Sequence, residues 1–312
     1  MSTRLTAYIL LLLSSIIWGA SGPIIKFTLD FTTPFNFLFW RFLLVAVVAT
    51  PIFLWYIKRH PIKTQWLPKI IFLGFLATTI NLSLVFFGFE RTSAIQGTLL
   101  ASIAPIFVVT GGIIFLKEKV TRREQIGISL AFLGTIFIVL EPLLQQGVFI
   151  TNDMVLGNFL LILANLSWMV FVLLSKNWFE EGIKPFHIVF ISFLVGLVSF
   201  FPLSIIESSS LPSIANVAPS GILGIAFMAI FAGLIAYTAY EVALARIEAS
   251  EATVFHYLLP IWAAPLAVLW LGEIITPTFL IGALIIAIGV VIAEYRKGLL
   301  TGIRSHHLAH HK

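Results

Sequence analysis

Residues 94–134, AIQGTLLASIAPIFVVTGGIIFLKEKVTRREQIGISLAFLG, and residues 249–289, ASEATVFHYLLPIWAAPLAVLWLGEIITPTFLIGALIIAIG, carry one pattern twice. At one constant offset Arg91, Ala94, Thr98, Pro105, Leu116, Glu118, Thr121, Ile126, Gly127 and Gly134 meet Arg246, Ala249, Thr253, Pro260, Leu271, Glu273, Thr276, Ile281, Gly282 and Gly289. Apolar coincidences alone arise by chance in a hydrophobic chain. Arginine, proline, glutamate, threonine and glycine recurring in one order mark an internal repeat. The repeat reaches further outward at slightly shorter offsets. Trp18 and Lys26 meet Trp168 and Lys176, and Pro34, Phe35, Phe42, Leu43 and Pro51 meet Pro185, Phe186, Phe193, Leu194 and Pro202.

The 312 residues are 59% hydrophobic and 11% charged, with a mean hydropathy of +1.05, against about 25% charged residues in an ordinary soluble domain. A polytopic membrane protein follows. Apolar segments fall near 5–26, 34–57, 66–89, 93–116, 124–141, 155–176, 185–206, 219–242, 250–271 and 276–294, each close to the roughly 20 residues that cross a bilayer. Five spans per half is an odd number, so the second copy enters the membrane from the opposite side. The predicted fold is an all-α integral membrane protein of ten transmembrane helices in two inverted five-helix repeats, 1–145 and 146–298, with a disordered cytoplasmic tail over 299–312. Inverted repeats let one site near the midplane open alternately to either side.

The net charge of +5 suggests no nucleic-acid partner, because the cations sit in short breaks between apolar runs and form no basic face. With a cytoplasmic N-terminus, the inner side collects Arg4, the Lys58–Lys69 and Lys117–Arg123 groups, Lys176, Lys184, Arg246 and the C-terminal cations. Lys26 and Arg91 are left outside and Arg41 inside the membrane. That bias assigns both termini to the cytoplasm. The N-terminal run also has the ingredients of a signal peptide, but it continues to about Lys26 and reads more simply as a first span. The absence of cysteine excludes disulfides and thiolate metal sites.

WGASGPIIK at 18–26, Pro34 with WRF at 40–42, the 94–107 stretch, LKEKVTRREQIGISLAFLG at 116–134 and the second pattern at 249–289 together resemble the EamA family of the drug/metabolite transporter superfamily. The resemblance covers nearly the whole chain. It implies a ten-helix carrier of the inner membrane, commonly an exporter of amino acids or related metabolites, without a cofactor. The halves differ where Ser192 replaces the arginine of WRF and where GASGPIIK becomes MVFVLLSK.

Arg41 is the first candidate site residue. An arginine near the centre of a membrane helix costs about 2.5–3.5 kcal/mol on insertion scales, and this one lies about 10 Å below the outer surface at 1.5 Å per residue. Three readings stand: snorkelling to headgroups, pairing that holds helices together, or a cation lining a cavity to meet a carboxylate. Pro105 and Pro260 sit mid-span, where each removes a backbone donor and breaks a helix. Gln96, Thr98 and Ser102 precede the first proline, and Thr253, His256 and Tyr257 the second. The predicted substrate site lies between these faces, with Trp18, Asn81, Asn165, Trp168 and Tyr237 supplying aromatic walls and hydrogen bonds.

His256 and Glu241 are candidates for proton coupling. The plainer readings are a packed, hydrogen-bonded histidine and a Glu241–Arg246 ion pair. Glu118 and Glu273 match across the repeat, yet their turns read as structural. Thr121 with Glu124 fits a capping box, and Thr276 before Pro277 fits an N-cap with proline at the first helical position. Gly127, Gly134, Gly282 and Gly289 permit close helix contact, either between the halves or between two protomers of a homodimer. The HHLAHH tail reads as a plain terminus. No HExxH, GxSxG or GxxxxGK[ST] sequence occurs, which speaks against an enzyme or an ATP-driven pump. A secondary carrier of small molecules is the expected function, with a channel-like or lipid-handling protein as the alternative.

Overall fold

Prolines and short polar caps set where the helices begin. The computed structural model describes residues 3–144, 152–215, 217–272 and 275–294, and these residues are helical with short connections. In chain order the helices are α1 (Thr3–Leu29), α2 (Pro34–Arg59), α3 (Thr64–Arg91), α4 (Ala94–Leu116), α5 (Arg122–Leu144), α6 (Asn152–Glu180), α7 (Pro185–Ser208), α8 (Pro219–Leu244), α9 (Ala249–Leu271) and α10 (Pro277–Glu294). Helices α2, α7, α8 and α10 start on proline, whose missing N–H is an orphan at that position anyway. The Thr121 capping box forms as expected. Thr121 N donates to Glu124 Oε2 at 2.6 Å and Glu124 N to Thr121 Oγ1 at 3.3 Å. Phe279 N donates to Thr276 Oγ1 at 3.1 Å and caps α10.

Among the described residues, eight helices are long and apolar enough to cross a membrane: α1 to α4 and α6 to α9. Leu223 and Leu269 are 71% and 76% exposed, so the outer surface is apolar in the way that lipid, rather than water, requires. Helices α5 and α10 fall outside that set and pack along each other. Their glycines make the approach possible. A Cβ on Gly127 would stand 2.4 Å from Ala293 N and 2.6 Å from Gly289 O, and one on Gly289 would stand 2.5 Å from Ala131 N. The glycine spacing is therefore used inside one chain, between its two halves.

The halves interlock elsewhere too. Helix α1 packs on α8 and α9, α2 on α7, and α3 on α6 and α7. The regular helix fails at matching positions of the two halves. π-helical turns occupy Phe75–Ile80 of α3 and Met228–Tyr237 of α8. Helix α4 is interrupted between Ala101 and Ala104, just before Pro105, and α9 tightens to a 3₁₀ helix over Val254–Leu258, just before Pro260. Glu273 and the 299–312 tail lie outside the described residues.

Candidate functional site

The irregular segments converge on one space. A cavity of about 180 Å³ opens between α1, α2, α3, α4, α6, α7, α8 and α9. Trp18, Arg41, Asn81, Thr98, Asn165, Trp168, Tyr237 and His256 line it. They come from seven helices, and sequence reasoning named all of them.

The cavity has an aromatic side. Trp18 stacks on His256 with ring centres 5.6 Å apart and planes 15° apart, and meets Trp168 edge-on at 5.7 Å. Tyr240 closes the cluster at 5.2 Å from Trp18 and 5.4 Å from both Trp168 and His256. Such edge and offset contacts hold rings in place. Trp18 Nε1 donates to Ala232 O at 3.0 Å, a carbonyl in the π-helical turn of α8. His256 Nδ1 lies 3.1 Å from Thr253 O. A carbonyl only accepts, so Nδ1 donates in that bond when it carries the ring proton. The histidine is thus held by the helix packing while one edge meets the cavity.

Two amides also line the cavity. Asn81 Nδ2 donates to Ala164 O at 2.7 Å, and Asn165 Nδ2 donates to Leu100 O at 2.7 Å. The second bond satisfies a carbonyl beside the break that Pro105 makes in α4. Each bond uses one of the two N–H donors of its amide, so an amide oxygen and a second N–H remain to meet a guest. Arg41 is 7% exposed and its Nε and Nη1 have no hydrogen-bond partner. The ring of Phe42 lies 5.4 Å from the guanidinium carbon. Arg41 is in the bundle interior, lining the cavity, and the described ion pairs join other residues.

Four named residues are elsewhere. Gln96 accepts from Thr92 Oγ1 at 3.1 Å near the start of α4, and Ser102 Oγ donates to Leu99 O at 2.7 Å within the interrupted helix. Thr253 is buried beside His256, its Oγ1 3.2 Å from Nδ1. Tyr257 is buried with Leu99, Ala131 and Ile286, where α4, α5 and α10 meet.

One expectation is corrected. Glu241 does not pair with Arg246: its carboxylate is fully buried with neither oxygen hydrogen-bonded, while Arg246 is exposed. The residues are a helical turn and more apart, but α8 ends at Leu244 and the chain turns Arg246 outward. Arg246→Ala is accordingly expected to leave thermal stability within about 0.5 kcal/mol of the parent. A loss of 2 kcal/mol in thermal unfolding would restore the pair.

Sequence reasoning passed over much of the apolar lining. Phe42 and Phe193 both line the cavity, and their match across the repeat was the signal that could have found them. Phe86, Phe89 and Met228 carry no such mark, because an apolar wall facing a cavity reads like one facing lipid.

The lysines that match across the repeat do matching work. Lys26 Nζ donates to Phe89 O at 3.2 Å and Glu90 O at 3.0 Å, at the end of α3. Lys176 Nζ donates to Leu244 O at 3.2 Å and Ile247 O at 2.6 Å, at the end of α8. Cations suit helix C-termini, where the carbonyls are unpaired and the dipole is negative.

The model of the EamA-like transporter family matches residues 5–140 and again 155–295. The chain belongs to the EamA-like transporter family. The two matches divide this EamA protein where the internal repeat divides it. An uncharacterized transporter, YyaM, of Bacillus subtilis (strain 168) is 27% identical over 294 residues, covering 93% of this chain and 94% of that one. A probable amino-acid metabolite efflux pump of Escherichia coli (strain K12) is 24% identical over 307 residues, covering 94% and 98%. A crystal structure covering 94% of this chain shares its fold, with a TM-score of 0.71 at 15% identity. The EamA protein is a multi-pass membrane transporter and not an enzyme.

Proposed function

We propose that this EamA protein is a secondary transporter of the cytoplasmic membrane that exports amino acids or related small metabolites. In this reading ten helices cross the bilayer as two inverted five-helix units, 1–145 and 146–298, with both termini in the cytoplasm. The units rock about the cavity so that it faces one side and then the other. One observation carries the proposal. The cavity is walled by pairs of residues that match across the two family copies, Trp18 with Trp168 and Phe42 with Phe193, and the helices beside it are irregular at matching positions. A site shared by two related halves, next to broken helices, suits alternating access. The efflux pump of Escherichia coli lends weight to metabolite export.

Counterflow into proteoliposomes loaded with mixed amino acids, purines and small cations tests this. Saturable exchange, faster when substrate is present on the opposite side, is the expected result. Flux without such trans-stimulation would indicate a channel. No flux by protein of native fold would remove the metabolite carrier and bring lipid substrates forward.

A further inference from the structure

Among the described residues, Arg41 is a buried cation without a counter-ion. No acidic side chain among the described residues lines the cavity, and the ion pairs among them are Arg4–Glu251, Lys69–Glu181 and Arg91–Glu90. Nε and Nη1 have no acceptor. Nη2 lies against Gly233, where a Cβ would come within 4.0 Å of it. The corresponding position of the other half, Ser192, bonds Ile188 O at 2.7 Å and lies 3.3 Å from Tyr237 Oη. It carries no charge, so the cation is a feature of one side of the cavity.

A buried charge left unpaired is costly, and so are guanidinium N–H groups without acceptors. A stationary partner would normally compensate both. Here the compensation must arrive with the guest. We infer that Arg41 anchors the carboxylate of the transported molecule, which makes the substrates small carboxylic acids, amino acids among them. The inference rests on the transporter reading above and adds the recognition chemistry.

The remaining walls fit the rest of such a molecule. The rings of Trp18, Trp168 and His256 offer an apolar and π-rich surface to a side chain. The amide oxygens of Asn81 and Asn165 accept from an ammonium, which the aromatic faces also favour. Arginine suits the anchor because its fork of donors matches the two oxygens of a carboxylate.

Thermal unfolding of the purified wild type, Arg41→Gln and Arg41→Lys tests the anchor apart from transport. Each is measured alone and with 3-phenylpropionate, L-phenylalanine, L-threonine or phenethylamine. At least one acid is expected to raise the melting temperature of the wild type with rising concentration, and phenethylamine, which can use the other walls but not the guanidinium, to raise it less than that acid does. Arg41→Gln removes an uncompensated buried cation, so it is expected to melt at or above the wild-type temperature and to bind the acid at least tenfold more weakly. Arg41→Lys keeps the charge without the fork and falls between.

Acid stabilisation that persists in Arg41→Gln would overturn the anchor, as would stabilisation by the amine alone or by none of the four. Counterflow of the stabilising acid by the same preparations separates the two readings. Exchange of phenethylamine in preference to acids sinks the anchor and leaves the carrier standing. Binding of an acid without its exchange sinks the carrier and leaves the anchor.

Discussion

Gly289→Val is expected to remove most folded protein, and Gly127→Val to do the same. The two glycines face each other where α5 and α10 run closest. A Cβ at Gly289 would stand 2.5 Å from Ala131 N and 2.7 Å from Gly127 O; at Gly127 it would stand 2.4 Å from Ala293 N. These are backbone atoms of helices, which cannot swing aside as a side chain end can. The helices must separate, and the contacts of Ala131, Ile286 and Val290 beside them open with it. Overpacking a fitted contact costs about 1–3 kcal/mol, and more where nothing yields. A loss above about 3 kcal/mol is expected here, read as a collapsed melting temperature or aggregation of the purified protein. Gly272→Ala is the contrast. Its φ of +66° is in the left-handed region but nothing lies within 4 Å of its Cβ, so backbone strain of about 1–2 kcal/mol is the whole effect. Wild-type stability of Gly289→Val would mean that α5 and α10 do not pack as described.

Glu118→Ala has the second largest expected effect. The carboxylate accepts from Ala249 N at 2.7 Å and Ser250 N at 3.0 Å, the first residues of α9. Glu248, at the N-cap position, makes no side-chain cap of its own. The helix that carries His256 therefore begins on a carboxylate supplied by the other half of the chain. Both donors belong to buried residues, and alanine would leave them unsatisfied at the positive end of a helix. Charge-assisted bonds of this kind contribute about 1.5–3 kcal/mol each. A destabilisation of about 2–4 kcal/mol and a severalfold fall in transport are expected, with Glu118→Gln intermediate because one amide oxygen remains. Gly112→Ala supplies an independent check. Its Cβ would stand 2.7 Å from Glu118 Oε2, and displacing the flexible carboxylate should reproduce part of the loss. Unchanged thermal unfolding of Glu118→Ala would show that α9 is capped some other way.

Much of the site was legible before the fold. Arg41, Asn81 and Asn165 stood out because a polar group in an apolar span must find a partner or a cavity, and all three line the cavity. Pro105 and Pro260 marked the breaks, since a missing N–H acts within one turn whatever surrounds it. Ser102 and Thr253 follow the same rule but find partners locally instead, Ser102 in a carbonyl of its own helix and Thr253 in the His256 ring three residues on. Glu241 and Arg246 stay apart because closeness in sequence does not fix direction beyond a helix end.

Features that depend on neighbours along the chain are written in the residues themselves. Apolar length set the helices, Thr121 with Glu124 set the start of α5, and repetition set the two family copies. Which helices meet depends on contacts between distant parts of the chain. Glu207 at the end of α7 accepts from Phe35 N at 3.0 Å and Asn36 N at 3.2 Å, starting α2, as Glu118 starts α9. Neither cap has a local signature, because donor and acceptor lie in different halves. Nor could composition tell the cavity face of a helix from its lipid face. In a bilayer both are apolar, so burial leaves no amphipathic stripe, and only the close approach of glycines and the direction of a few polar groups fix the packing.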